Sequence, residues 1–221
     1  MARMPAIFNF SGPYGVGKDT LLNSLLQRHA DVVHRVSTIT TRPSSPDADP
    51  SYRTVTPEEF ARTTATDRWI VTTQLGGDVR YGTSLDEIDT QIGLGKVCVH
   101  SIFAGHQGTG RLREVYGRRL FSVGVLAAHG GRAEQLEVLR DRLVARGRDT
   151  AETVEQRLRY QLEPIDYVLA NPSVSTPDGP LPVFDHIVVN DRLDDSVDAV
   201  QALWRQYFER PADESVRSRI H

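Results

Sequence analysis

Lysine is almost missing from this chain. Of its 26 basic residues only Lys18 and Lys96 are lysine, and the rest are arginine. Cysteine is scarcer still: Cys98 stands alone, which excludes an intramolecular disulfide and fits a reducing cytoplasm. No apolar run approaches the roughly 20 residues of a membrane-spanning helix. Met1–Phe10 is too short an apolar stretch for a secretory signal and reads as the entry to a core strand. Charge of one sign is lacking too; the formal net charge of −3 gives no support to bulk attraction to nucleic acid or membrane. His34, His106, His129 and His186 show no metal-ligand spacing, so no zinc site is expected.

What is present suits one α/β domain, or a core with one or two inserted subdomains: 221 residues, 39% hydrophobic and 25% charged. Ala6–Ser11 reads as a short buried strand that runs into Gly12-Pro13-Tyr14-Gly15-Val16-Gly17-Lys18, and Leu21, Leu22, Leu25 and Leu26 then form a helical stripe. Val32–Thr38 reads as a second strand. From Thr40 to about Gly95 the pattern weakens, with a loop at Pro43–Asp47 and a short helix from Pro57, as expected of an inserted subdomain. Val97–Ile102 and Leu120–Ala127 resume the core as strands, and Arg132–Arg146 and Thr150–Leu162 are arginine-rich helices. Pro172–Pro182 reads as a proline-rich loop, Phe184–Val189 as a final strand, and Val197, Val200 and Trp204 mark one face of a last helix. The tail from Pro211 to His221 is polar and reads as mobile. The alternation of strands and helices predicts a parallel sheet covered on both faces.

The strand, Gly-x4-Gly-Lys loop and helix come in the order of a phosphate-binding loop. Glycines let backbone N–H groups turn inward around phosphate oxygens, and the helix N-terminus adds partial positive charge. The predicted ATP contacts are Gly12, Gly15, Val16, Gly17, Lys18, Asp19 and Thr20, with Lys18 reaching the β- and γ-phosphates. The position after the lysine, usually Ser or Thr, is Asp19. Its carboxylate is read either as a helix N-cap or, with Thr20, as support for Mg²⁺.

Several further motifs resemble the guanylate kinase family. Thr38-Ile39-Thr40-Thr41-Arg42-Pro43 is similar to its acceptor-phosphate motif, and Tyr52, Val55 and Glu58-Glu59-Phe60 to its next segment. Tyr81-Gly82-Thr83-Ser84, Arg142-Leu143-x-x-Arg146-Gly147, Arg157-Leu158 and Phe184–Asp191 follow in the family's order. The resemblance implies a three-layer P-loop kinase fold with a parallel sheet. Residues 1–38 and 95–221 would form the core, with a lid near 140–160, and residues 39–94 an acceptor-binding insertion. It implies that Arg42, Tyr52 and Tyr81 hold the acceptor's phosphate and that Thr38 and Thr83 share that site. Arg142, Arg146 and Arg157 would close over the transferring phosphoryl group, and Asn190 would lie near adenine. Ile165–Asn171 mimics the final-strand motif, so either it or Phe184–Asn190 would be the strand beside adenine; the later one is favoured because Leu193 and the last helix follow it directly.

The pattern also departs from that family. Thr72–Gly77 carries no acid where a guanine reader needs acceptors, and His100, Ser101 and Ile102 stand in the second such place. Ser45 replaces a second arginine, and Asp78 or Asp86 would have to swing in to supply a carboxylate. His100 is read either as an acceptor contact beside Ser101 or as a hydrogen-bonded core histidine. Gly-Lys-Asp-Thr-Leu-Leu and Arg-Leu-x-x-Arg-Gly-Arg are similar to ribose 1,5-bisphosphate phosphokinases. The expected activity is therefore ATP- and Mg²⁺-dependent phosphorylation of a small phosphorylated acceptor, favouring a sugar phosphate or other non-GMP metabolite. A guanylate kinase with an atypical base pocket and a non-catalytic binding module are the alternatives. The expected protein is cytoplasmic, a monomer or homodimer, with no nucleic-acid or membrane partner.

Overall fold

The computed structural model describes residues 5–44, 51–66, 68–73, 79–147 and 150–209. Strand β1 (Ile7–Ser11) feeds the glycine loop and then α1 (Lys18–Arg28). There follow β2 (Val33–Arg35), β3 (Thr38–Thr40), β4 (Tyr52–Thr54), α2 (Pro57–Thr63), β5 (Trp69–Thr73), β6 (Arg80–Ser84) and α3 (Leu85–Gly93). After β7 (Val97–Ser101) come a π-helical turn at His106–Gly110, α4 (Arg111–Tyr116) and β8 (Leu120–Leu126). The C-terminal part holds α5 (Arg132–Ala145), α6 (Ala151–Arg159), α7 (Leu162–Ala170), β9 (Ser173–Thr176), β10 (Gly179–Pro182), β11 (His186–Val189) and α8 (Leu193–Tyr207).

The main sheet is parallel, in the order β11-β8-β1-β7-β2. Strand β1 is central and wholly buried: Phe8 and Phe10 make one face apolar, and on the other Ile7 is followed by Asn9 and Ser11, whose side chains bond each other. Phe8 and Phe10 pack with the Leu21, Leu22 and Leu25 stripe of α1 and with Val200 and Trp204 of α8. On the other face, Ile7, Cys98 and Leu120 pack with Leu85 and Ile88 of α3. Each such side chain, removed from water, contributes on the order of 1.5–3 kcal/mol. The mixed α/β architecture with its parallel central sheet is that of the P-loop kinases. Ligands of such sheets bind beyond the strands' C-terminal ends, where neighbouring strands diverge to opposite sides. The glycine loop leaves β1 at that edge, between β7 and β8.

A second sheet, in the order β4-β3-β6-β5, is mostly antiparallel. Its strands present two chemically different faces, since side chains alternate along a strand. Ile39, Trp69 and Val71 meet Phe60 of α2 and Val55 on one side. Thr38, Thr40, Thr72, Tyr81 and Thr83 share the other, and the four threonines are buried. The expected second strand, Val32–Thr38, divides at Val36–Ser37: β2 pairs with β7, whereas β3 leaves to join β6 and β4.

Two other local readings change. Residues 165–170, which mimic a final strand, lie in helix α7, and β11 is the strand beside β8. Pro172–Pro182 is a β-hairpin and not a loop, with Thr176 Oγ1 donating to Gly179 O at 2.6 Å across its turn. Its prolines fit because the two strands form a sheet of their own, where few ladder N–H groups are needed. Ser45, Gln74–Asp78, Arg148 and the Pro211–His221 tail lie outside the described residues. Among the described residues no helix is long and apolar enough to cross a membrane, and no cluster of His, Cys, Asp or Glu suits a metal ion.

Candidate active site

The glycine loop is closed on itself and strapped from outside. Gly15 and Gly17 have φ of +87° and +97°, a left-handed backbone that favours glycine. Gly12 is fixed by space: a Cβ there would lie 2.3 Å from Val125 O. Lys18 Nζ donates to Gly12 O at 2.9 Å and to Pro13 O at 2.8 Å. That enclosure lowers its pKa to about 8 by desolvation, with Asp19 opposing the shift and Arg146 adding to it. The lysine expected at the phosphates thus already spans the loop it would serve.

Helix α1 is capped by Gly17, so Asp19 is not the N-cap; it lies exposed in the first turn beside Thr20. Asp19 lines a small cavity, and a carboxylate and a hydroxyl carry the oxygen donors that Mg²⁺ takes. Asn190, at the end of β11, is buried and donates from Nδ2 to Val16 O at 2.7 Å. Its backbone carbonyl accepts from Arg142 Nη2 at 2.5 Å. Arg146 Nη2 reaches towards Gly15 O at 3.5 Å, and the Arg157 guanidinium lies 4.9 Å above the Tyr14 ring. Arg146 and Arg157 thus reach the loop itself, and Arg142 reaches the carbonyl of Asn190, whose side chain bonds the loop.

The residues expected on the acceptor side form a second group. Arg42 N donates to Thr40 Oγ1 at 3.1 Å, and Arg42 also hydrogen-bonds Tyr81. Burial raises the Tyr81 pKa, against the pull of Arg42, so the phenol remains a neutral donor. Tyr52 stands edge-on to Tyr81 with ring centroids 6.2 Å apart. Thr38 and Thr83 are register partners on β3 and β6. His100, at 3% exposure, has Nε2 2.9 Å from Thr83 Oγ1, and desolvation followed by Arg35 lowers its pKa to about 3. It is a neutral imidazole.

The small cavity is lined by Asp19, Arg35, Thr38, Tyr52, His100 and Ser101. His100 is a hydrogen-bonded buried histidine, as one reading expected, and it also lines this cavity. Asp86, a candidate to enter the pocket, is held elsewhere by Arg68 Nε at 2.7 Å. Sequence reasoning missed Arg35, which carries charge into this cavity, and Thr40 and Thr72, which complete the polar face. The alternation Ile39-Thr40 and Val71-Thr72 was the signal available. It also missed Gln161, which bonds the Tyr14 backbone at 2.5 Å; no spacing in the sequence relates those two positions.

A family model described as guanylate kinase matches residues 5–207. The guanylate kinase of Gloeobacter violaceus is 33% identical over 205 residues, covering 92% of this chain and 87% of that protein. The guanylate kinase of Clostridium perfringens strain SM101 is 27% identical over 87% of this chain and 79% of its own length. The crystal structure of guanylate kinase from Anaplasma phagocytophilum superposes with a TM-score of 0.60, at 17% identity, over 97% of this chain and 93% of that one, a likeness of fold. These findings overturn the sugar-phosphate acceptor favoured from the sequence. That expectation rested on the missing acids, on Asp19 and on two short motifs, whereas the match covers residues 5–207. With residues 5–207 matched and a relative one-third identical along nearly its whole length, this chain belongs to the guanylate kinase family of ATP-dependent phosphotransferases.

Proposed function

We propose that the chain phosphorylates GMP to GDP at the expense of ATP. The observation that carries this reading is that Asp19, beside the lysine loop, lines the same small cavity as Thr38, Tyr52 and His100 of the acceptor side. Residues 1–38 and 95–221 act in it as the ATP-binding core, with a lid near 140–160, and residues 39–94 as the acceptor-binding part. Loop amides and Lys18 take the β- and γ-phosphates, and Arg42, Tyr52 and Tyr81 take the phosphate of GMP. Asn190, tied to the loop, borders the adenine side.

A phosphate oxygen of GMP is already anionic, so no general base is required. It attacks the γ-phosphorus in line; the new O–P bond forms as the bond to the β-γ bridging oxygen breaks and ADP departs. The three equatorial oxygens need positive charge, which Lys18, Arg142, Arg146 and Arg157 supply. Asp19 and Thr20 would hold Mg²⁺, whose chemistry is charge neutralisation on the phosphates. Thr83 fixes the neutral His100 ring, which offers Nδ1 as acceptor to the guanine N1–H when Nε2–H donates to Thr83. Ser101 adds a hydroxyl at the same end of β7. Lone Cys98, buried with its Sγ 3.6 Å from Ile88 O, fits a cytoplasmic setting.

The test is ADP release from ATP with GMP, AMP, CMP, UMP or no acceptor. GMP-dependent turnover well above the others supports the reading. ATP binding with no GMP-dependent turnover would remove it.

A further inference from the structure

Gln161 occupies the junction between α6 and α7 and uses both ends of its carboxamide. Its Oε1 accepts from Tyr14 N–H of the glycine loop at 2.5 Å, and its Nε2 donates to Arg157 O at 2.9 Å. The side chain is 7% exposed, so neither bond competes freely with water. Its backbone is fixed as well: Gln161 N–H donates to Leu158 O at 2.9 Å and its carbonyl accepts from Ile165 N–H at 3.0 Å. Gln161 is therefore a pin between the last turn of α6 and the loop. Arg157 belongs to that same turn, and its guanidinium lies 4.9 Å from the centroid of the Tyr14 ring. Tyr14 is 41% exposed, so its ring does not serve as a core side chain.

We infer that Gln161 and Tyr14 are positioning residues for Arg157: the carboxamide fixes its helix turn to the loop, and the ring holds its guanidinium beside the loop until phosphate oxygens replace the ring. The inference rests on the proposed phosphoryl transfer for the destination of Arg157. An exposed cation–π contact is weak, whereas bonds from arginine to phosphate are charge-assisted and stronger. The exchange is downhill once ATP is present. The ring and the pin narrow the arginine's rotamer search before substrate arrives. Neither Gln161 nor Tyr14 needs to touch the reacting atoms.

Two measurements test this. The first needs no acceptor. In the ligand-free protein the Arg157 guanidinium NMR signals should lie upfield through the Tyr14 ring current, and Tyr14→Ala and Gln161→Leu should each abolish that shift. An unshifted signal in the unaltered protein, or a shift that survives Gln161→Leu, overturns the inference. The second is steady-state turnover with GMP, which also reads the proposed function on its own. Gln161→Leu should lower kcat about tenfold with little change in KM for ATP, and have no further effect when Arg157 is already alanine. Tyr14→Ala should lower kcat in the same way and Tyr14→Phe, which keeps the ring, should recover most of it. Full additivity of Gln161→Leu and Arg157→Ala would overturn the inference. No GMP turnover in the unaltered protein would strike the proposed function and leave the ring-current result to decide the positioning.

Discussion

The Nε2 of His100 lies 2.9 Å from the Thr83 hydroxyl, joining the end of β7 in the main sheet to β6 in the second one. Both residues are buried, so this bond forms part of the wall between the two sheets, and His100 also lines the small cavity beside Asp19.

The first prediction concerns that histidine and pH. Its folded pKa, about 3, is below the ordinary 6.5, so between those values the unfolded chain binds the extra proton. Stability should therefore fall as pH drops from 6.5 towards 3, by about 1.4 kcal/mol per unit where the difference is complete. His100→Gln should flatten that slope in urea titrations. It should also raise KM for GMP more than KM for ATP. An unchanged acid slope in the variant would show that other groups cause it.

Lys18 separates catalysis from stability. Lys18→Met should reduce turnover at least about 100-fold, since charge placed at the transferring phosphoryl is lost. Its ammonium is enclosed by the loop and its pKa is lowered to about 8, so the charge is a burden to the ligand-free fold below that pH. The melting temperature of the variant should then be equal or higher at pH 7. A variant that melts early would assign the lysine a structural role.

Gly12 is limited by packing. A Cβ placed there meets Val125 O at 2.3 Å, and neither group is the flexible end of a side chain. Gly12→Ala should cost on the order of 1–3 kcal/mol in chemical denaturation. Gly131→Ala is the control, because nothing lies within 4 Å of a Cβ at that position. Equal stabilities of the two variants would refute the close approach of β1 and β8 at the site.

Arg113 shows that an arginine in this chain can be wholly structural. It is 1% exposed, pairs with Asp185, and donates to Gly117 O, Leu120 O and Val183 O at 2.9, 2.8 and 3.1 Å. Arg113→Met should destabilise by about 3–5 kcal/mol, since the pair with Asp185 is broken and three carbonyls lose the guanidinium's hydrogen bonds. The folded fraction should retain its KM values. A change in KM with normal stability would contradict this assignment.

Much of the nucleotide side was legible in the sequence because it is local. The apolar strand, the glycines, Lys18 and the leucine stripe lie within about 20 residues, and backbone sterics with hydrophobic periodicity dictate their order. The acceptor side was legible as residues and not as chemistry. Tyr52, Tyr81 and Arg42 stand out in the sequence, but the missing acids pointed to a different acceptor, because residue types alone do not show which groups face a common cavity. His100 is neutral only because folding buries it and sets Thr83 against it. The hairpin at Ser173–Pro182 was misread for a related reason: proline content weighs against ladders, and only pairing partners show that these strands need few of their N–H groups.

By itself, then, the sequence determined the phosphate loop, the parallel α/β core and the ordered motifs of a phosphotransferase, since each depends on neighbours along the chain. Tertiary structure decided what long-range contacts decide: that Gln161 grips Tyr14 across 147 positions, that Arg157 rests on its ring, and that Arg113 is a buried clasp and not a phosphate ligand. An arginine's role depends on the groups that desolvate and face it, and those are brought together only when the chain folds.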